Sequence, residues 1–111
     1  MKDDRVYLRH IMDSIAKIET YADVGKDEFM TVSHWQDAII RNLEIIGEAT
    51  KHLSEPFKEL HQEIPWRNIA GLRDILIHNY MGVDLDAVWN VVEKELPALK
   101  KRIDFILKKI E

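Results

Sequence analysis

The sequence predicts an all-α protein, an up-and-down bundle of four to five helices. Three observations point there. Apolar residues recur at helical intervals along nearly the whole chain, and no convincing strand alternation is visible. Glycine and proline number only four and three and fall mainly between the periodic segments. The 111 residues suffice for one core but not two, so a single domain over 1–111 is expected.

The first helix is expected over about Asp3 to Tyr21, where Val6, Ile11, Ile15 and Ile18 form a stripe widened by Tyr7, Leu8 and Met12. Ala22-Asp23-Val24-Gly25 breaks it, and Lys26 to Met30 fits a short helical turn. Ser33 with Gln36 three residues later fits a capping box, opening a long helix to about Leu53 through Trp35, Ile39, Leu43, Ile46 and Ala49. Ser54-Glu55-Pro56 starts a short helix to about Ile64, since proline is tolerated in a first turn. Pro65 opens the next, about Trp66 to Tyr80, closed by Met81-Gly82-Val83. Asp84 is a plausible N-cap for a helix through Ala87, Val88, Trp89 and Val92. Pro97 either kinks that helix or begins another, which runs through Leu99, Ile103, Ile106 and Ile110.

Composition narrows the function classes. Apolar residues make up 46% and charged residues 32%, ordinary for a folded soluble protein. No apolar run approaches a membrane span, and Met1-Lys2-Asp3-Asp4-Arg5 is too charged for a secretory signal. The absence of cysteine excludes disulfides and thiolate metal sites. A cytoplasmic protein is the simple expectation. A net charge of -4 disfavours bulk coating of nucleic acid, which depends on neutralising many phosphates. It leaves room for a small basic site that grips one phosphate of an RNA.

The chemistry concentrates in Arg73-Asp74-Ile75-Leu76-Ile77-His78-Asn79-Tyr80. A helix buried on one face has no structural need for an arginine, a histidine and a tyrosine within two turns. On an ideal helix Ile69, Leu72, Leu76 and Tyr80 form the core stripe, and Asp74 and His78 are neighbours on the wetter side. Arg73 and His78, five apart, diverge by about 140°. Either the helix loosens near Gly82, or two copies pack about a two-fold axis and pool their residues, with Gly71 allowing close approach. The composite site in a homodimer is the better fit.

Residue type then assigns roles. His78 titrates near neutral pH and suits a general base or acid. Arg73 offers a fork of donors to phosphate charge. Asp74 orients the imidazole. RNA brings its own 2′-hydroxyl nucleophile, so no metal or other cofactor is called for, and a cyclic phosphate is the expected product. Plainer readings stand beside these. Asp74 and His78 fit a surface pair, Tyr80 fits a half-buried helix-end aromatic, and Arg67 fits a solvated face. His34, His52 and His61 lack metal-ligand spacing and read as structural or surface residues. Glu44 and Glu48 share a helix face and could reach a site. Trp35, Trp66 and Trp89 read as core or interface rather than a stacking platform.

A wider set of residues completes the pattern: Ile46-Gly47-Glu48-Ala49, Ile64-Pro65-Trp66, Gly71-Leu72-Arg73, His78-x-Tyr80, Val83-Asp84 with Val88-Trp89, and Leu96-Pro97-x-Leu99. Over roughly residues 33 to 107 the chain resembles the HepT-like branch of the HEPN superfamily, helical toxins whose genes accompany a minimal nucleotidyltransferase antitoxin. The resemblance implies a HEPN-like fold and a homodimer. It also implies a metal-independent endoribonuclease toxin of a type II-like (type VII) toxin–antitoxin system, with Arg73 and His78 as the catalytic pair from both subunits. Asp74 stands where many relatives carry asparagine, and a carboxylate there repels the scissile phosphate. Tyr80 is, by the same resemblance, the residue an MNT-type antitoxin adenylylates, adding bulk and negative charge where RNA must bind. The alternative is a non-catalytic HEPN module that binds nucleotide or scaffolds a nucleotidyltransferase partner. A plain ligand-binding bundle is disfavoured by the polar face bearing Arg67, Asp74 and His78.

Overall fold

The first helix starts at its cap. The Asp3 carboxylate accepts the Arg5 backbone N–H at 3.0 Å and opens α1 (Asp4–Ala22) in the computed structural model, which describes residues 3–78 and 82–110. The Arg5 guanidinium closes on the same carboxylate at 2.8 and 2.6 Å. Those hydrogen bonds hold Asp3 below the usual carboxylate range.

Along α1, Leu8, Ile11, Ile15 and Ile18 are buried at helical spacing, so Leu8 rather than Val6 completes the seam. That seam packs on α3 (Ser33–Lys51) through Ile39, Leu43 and Ile46, the central layer of the core. Each fully buried aliphatic contributes about 1.5–3 kcal/mol, which makes this pairing the main hydrophobic support of the fold. A short α2 (Lys26–Thr31) closes one end with Phe29.

The capping box expected at Ser33 does not form. Val32 is the N-cap residue and no side chain caps it, while Gln36 Nε2 donates instead to the Phe29 carbonyl at 2.9 Å, tying α3 back to α2. α3 ends at Lys51, two residues before the expected end. Ser54 caps α4 (Glu55–Leu60), accepting from the Phe57 N–H at 3.3 Å. Its own N–H and hydroxyl donate to Asp4 at 2.8 and 2.7 Å, which fastens the start of α4 to the start of α1.

The largest departure lies in the helix expected over Trp66 to Tyr80. It is three elements: α5 (Trp66–Ala70), a turn at Gly71, and α6 (Leu72–Leu76), followed by the two-residue strand β1 (Ile77–His78). β1 pairs antiparallel with β2 (Gly82–Val83), Ile77 opposite Val83 and His78 opposite Gly82. A strand was not expected. Two features stop the helix. The Asp84 N–H donates to the Leu76 carbonyl at 3.0 Å, satisfying one of the acceptors a helix end leaves open. Gly82 holds φ +79°, a conformation that L side chains rarely adopt, and so lets the chain turn back.

Asp84 does cap α7 (Leu85–Asn90), accepting from the Ala87 N–H at 3.0 Å. Helical backbone then continues through a π turn (Val91–Glu95) into α8 (Leu96–Ile110). Pro97 cannot donate to a carbonyl of the preceding turn. The wider turn just upstream, where the Leu96 N–H reaches back five residues to the Val91 carbonyl, absorbs the misfit. The all-α class holds, with the β1–β2 pair as its one departure among the described residues. Trp66 and Trp89 are core residues and Trp35 is partly buried, as their spacing suggested. Among the described residues no helix is long and apolar enough to cross a membrane.

Candidate functional site

Gly47 sets the position of the site. A Cβ there would lie 3.2 Å from the backbone carbonyl oxygens of both Ile69 and Ala70, so α5 approaches α3 to a distance only glycine allows without displacement. The close-approach glycine is thus inside the chain. Gly71 is the joint between α5 and α6.

That approach carries α6 over the middle of α3. Arg73, in the first turn of α6, reaches across and donates from Nε to Glu44 Oε2 at 2.8 Å. Its side chain remains 62% exposed and that of Glu44 32%. An exposed pair of this kind contributes at most about 1 kcal/mol, so the guanidinium is held in place yet open to exchange its carboxylate for a phosphate.

Below Arg73 lies a groove of about 370 Å³, walled by α3 on one side and by Tyr7 and His10 of α1 on the other. Along α3, Arg41, Glu44, Glu48 and Lys51 follow at helical spacing and present a charged stripe to it. At the far end His52 stacks on Tyr7, ring centroids 5.1 Å apart and planes 14° from parallel. Glu48 lies beside this stack, 3.4 Å from His52 Nε2 and 3.9 Å from Lys51 Nζ. His10 meets the edge of Tyr7 at 6.0 Å.

The residues singled out in the sequence fall as follows. Arg73 lines the groove. Asp74 and Arg67 are exposed. The backbone of His78 is the second residue of β1, one element beyond Arg73. Because the helix ends at Leu76, Asp74 and His78 are not related as i and i+4 of one helix, and the 140° divergence of Arg73 from His78 no longer applies. The case that a lone helix demands a second copy falls with it. Tyr80 lies outside the described residues. Glu44, expected to be within reach of a site, touches Arg73 itself. Spacing alone gave no sign of the stack between His52 and Tyr7. They are 45 positions apart, and no local pattern joins them. Among the described residues no group of three or more His, Asp or Glu side chains gathers as a metal site would require.

A family model described as "Ribonuclease HepT-like" matches residues 11–106. A Methanocaldococcus jannaschii protein named "Gamma-glutamylcyclotransferase and putative RNase" is 48% identical over 111 residues, covering 99% of this chain. The chain spans 50% of the length of that relative. A "Putative RNase" of Caldanaerobacter subterraneus subsp. tengcongensis is 42% identical over 98% of this chain and 98% of its own length. A "Probable ribonuclease HepT" of Thermococcus cleftensis is 43% identical over 92% of this chain and 94% of its own length. No solved structure matches.

Proposed function

Because the chain belongs to the HepT-like ribonuclease family, we propose that it is a metal-independent endoribonuclease, with Arg73 and His78 as its catalytic residues. The observation that carries this reading is the exposed Arg73 guanidinium on a charged groove, one element before the backbone of His78.

The proposed reaction needs only groups of the protein and the RNA. His78 takes the proton of a 2′-hydroxyl as that oxygen attacks the adjacent phosphorus. The bond from phosphorus to the 5′-oxygen breaks, and the departing oxygen takes a proton from a second, protonated imidazole. The products are a 2′,3′-cyclic phosphate and a 5′-hydroxyl. Arg73 releases Glu44 and binds the phosphoryl oxygens, where charge builds in the transition state. Asp74 supports the protonated imidazole. A homodimer supplies the second imidazole as the other protomer's copy of the first.

The same reading makes the protein the toxin of a type II-like (type VII) toxin–antitoxin pair. Its MNT-type nucleotidyltransferase antitoxin adenylylates Tyr80, and the added phosphate repels RNA. RNA cleavage by the purified protein in EDTA tests the chemistry, and wild-type cleavage by His78→Ala would falsify the assigned role. Co-expression with the nucleotidyltransferase tests the regulation through a mass gain of one adenylyl group, lost in Tyr80→Phe.

A second reading draws on the Arg73–Glu44 pair, which already engages the guanidinium through Nε. In that reading the protein is a non-catalytic module that binds nucleotide or scaffolds the nucleotidyltransferase. Growth arrest on expression without the partner, dependent on Arg73 and His78, favours the nuclease. Harmless expression with retained partner binding favours the module.

A further inference from the structure

The groove extends well past Arg73, and the cleavage chemistry uses only its rim. Its far end is built differently. Tyr7, half-buried and anchored against the core, backs the ring of His52, whose side chain is 54% exposed. A flat ring held by a second ring from behind is a surface on which a planar base can stack at little entropic cost, because the platform is already ordered.

The electrostatics of α3 divide the groove into two ends. Lys51 and His52 end the helix, where open carbonyls disfavour an anion. Arg41 lies in the body of the helix, lining the same groove as Arg73. A phosphate is therefore favoured toward Arg41 and Arg73, and a neutral base toward the Tyr7–His52 stack. Glu48, between the ends and beside His52, is an acceptor suited to an exocyclic amine of a base.

We propose that this groove is a nucleotide subsite for single-stranded RNA next to the scissile phosphate. His52, backed by Tyr7, stacks the base, and Arg41 binds the phosphate that follows it. The subsite rests on the ribonuclease reading for its substrate but makes a separate prediction about binding.

The probe is a fluorescein-labelled 2′-O-methyl RNA hexamer, which lacks the free 2′-hydroxyl needed for cleavage, titrated with full-length protein by fluorescence anisotropy. His52→Ala is expected to weaken binding at least about fivefold, the low end of what one base–aromatic stack contributes. His52→Phe, which keeps a ring on Tyr7, is expected to restore it. Arg41→Ala weakens binding and lowers its salt dependence, whereas Lys108→Ala on α8, an equal loss of charge away from the groove, does neither. Circular dichroism of each variant confirms that it is folded. Binding that is unchanged in His52→Ala, or that falls no further in Arg41→Ala than in Lys108→Ala, overturns the subsite. If wild-type protein cleaves unmodified RNA while those variants bind normally, the subsite fails and the nuclease stands. If nothing is cleaved yet binding is lost in His52→Ala and recovered in His52→Phe, the nuclease fails and the subsite stands.

Discussion

Replacing Glu44 by glutamine probes the hinge between structure and chemistry, because Glu44 holds Arg73 without taking part in the proposed reaction. The substitution keeps the shape of the side chain and removes its charge. Arg73 is 62% exposed and Glu44 32%, so solvent screens the pair and its loss costs at most about 1 kcal/mol of stability. In a domain of this size that lowers the melting temperature by no more than about 8 °C. The opposite effect is expected on RNA. Arg73 no longer has to exchange a carboxylate for a phosphate, and the groove loses one negative charge. A gain of up to about 1 kcal/mol corresponds to roughly two- to fivefold tighter binding of the uncleavable hexamer. The gain shrinks in high salt, where exposed charges are screened within about 3 Å at 1 M. Anisotropy titrations at low and high salt, with a melting curve for each protein, measure all three quantities. Weaker binding by Glu44→Gln at low salt would refute the reasoning, since it would mean that Glu44 serves the bound state rather than competing with it.

Three further outcomes follow from the packing and the caps. Gly47→Val places a branched side chain against the Ile69 and Ala70 carbonyls, where even a Cβ stands at 3.2 Å. It should cost about 1–3 kcal/mol in denaturant melts and lower RNA cleavage by shifting α6. Ile46→Ala, which removes a fully buried side chain between α1 and α3, should cost about 2–5 kcal/mol in the same melts without changing the denaturant slope. Asp3→Asn tests the first cap. The folded-state pKa of Asp3 is depressed, so its contribution is present above the unfolded value and is lost as pH falls through the folded one. Wild type should therefore melt above Asp3→Asn at neutral pH, and the two curves should converge in acid.

The parts of the fold legible in sequence were those set by local chemistry. Ile11, Ile15 and Ile18 announce α1 because helical spacing alone puts them on one face. Asp84 announces α7 because an aspartate caps through a bond only three residues long. The motif helix misled because Ile69, Leu72 and Leu76 keep helical spacing across Gly71, and nothing in that spacing reports the turn. The end at Leu76 depends on a bond from Asp84, eight residues on, and on the positive φ of Gly82. Ser33 and Gln36 had the letters of a capping box, but Ser33 is already the first helical residue, behind Val32 as the cap, and Gln36 Nε2 donates to the Phe29 carbonyl. The site divides the same way. Arg73 was legible by residue type, and Glu44 only as a face within reach, since their bond spans 29 positions and depends on the approach of α5 at Gly47. The Tyr7–His52 stack joins α1 to the end of α3 and left no trace in spacing.

The most direct measurement is a time course of unmodified single-stranded RNA with purified wild-type, Arg73→Ala and His78→Ala proteins in EDTA, with the product ends identified. Wild-type protein should leave 2′,3′-cyclic phosphate and 5′-hydroxyl ends, and His78→Ala should slow cleavage at least about 100-fold, the lower range for a lost general acid or base. Cleavage by His78→Ala at the wild-type rate, or wild-type cleavage that vanishes in EDTA, would contradict the account.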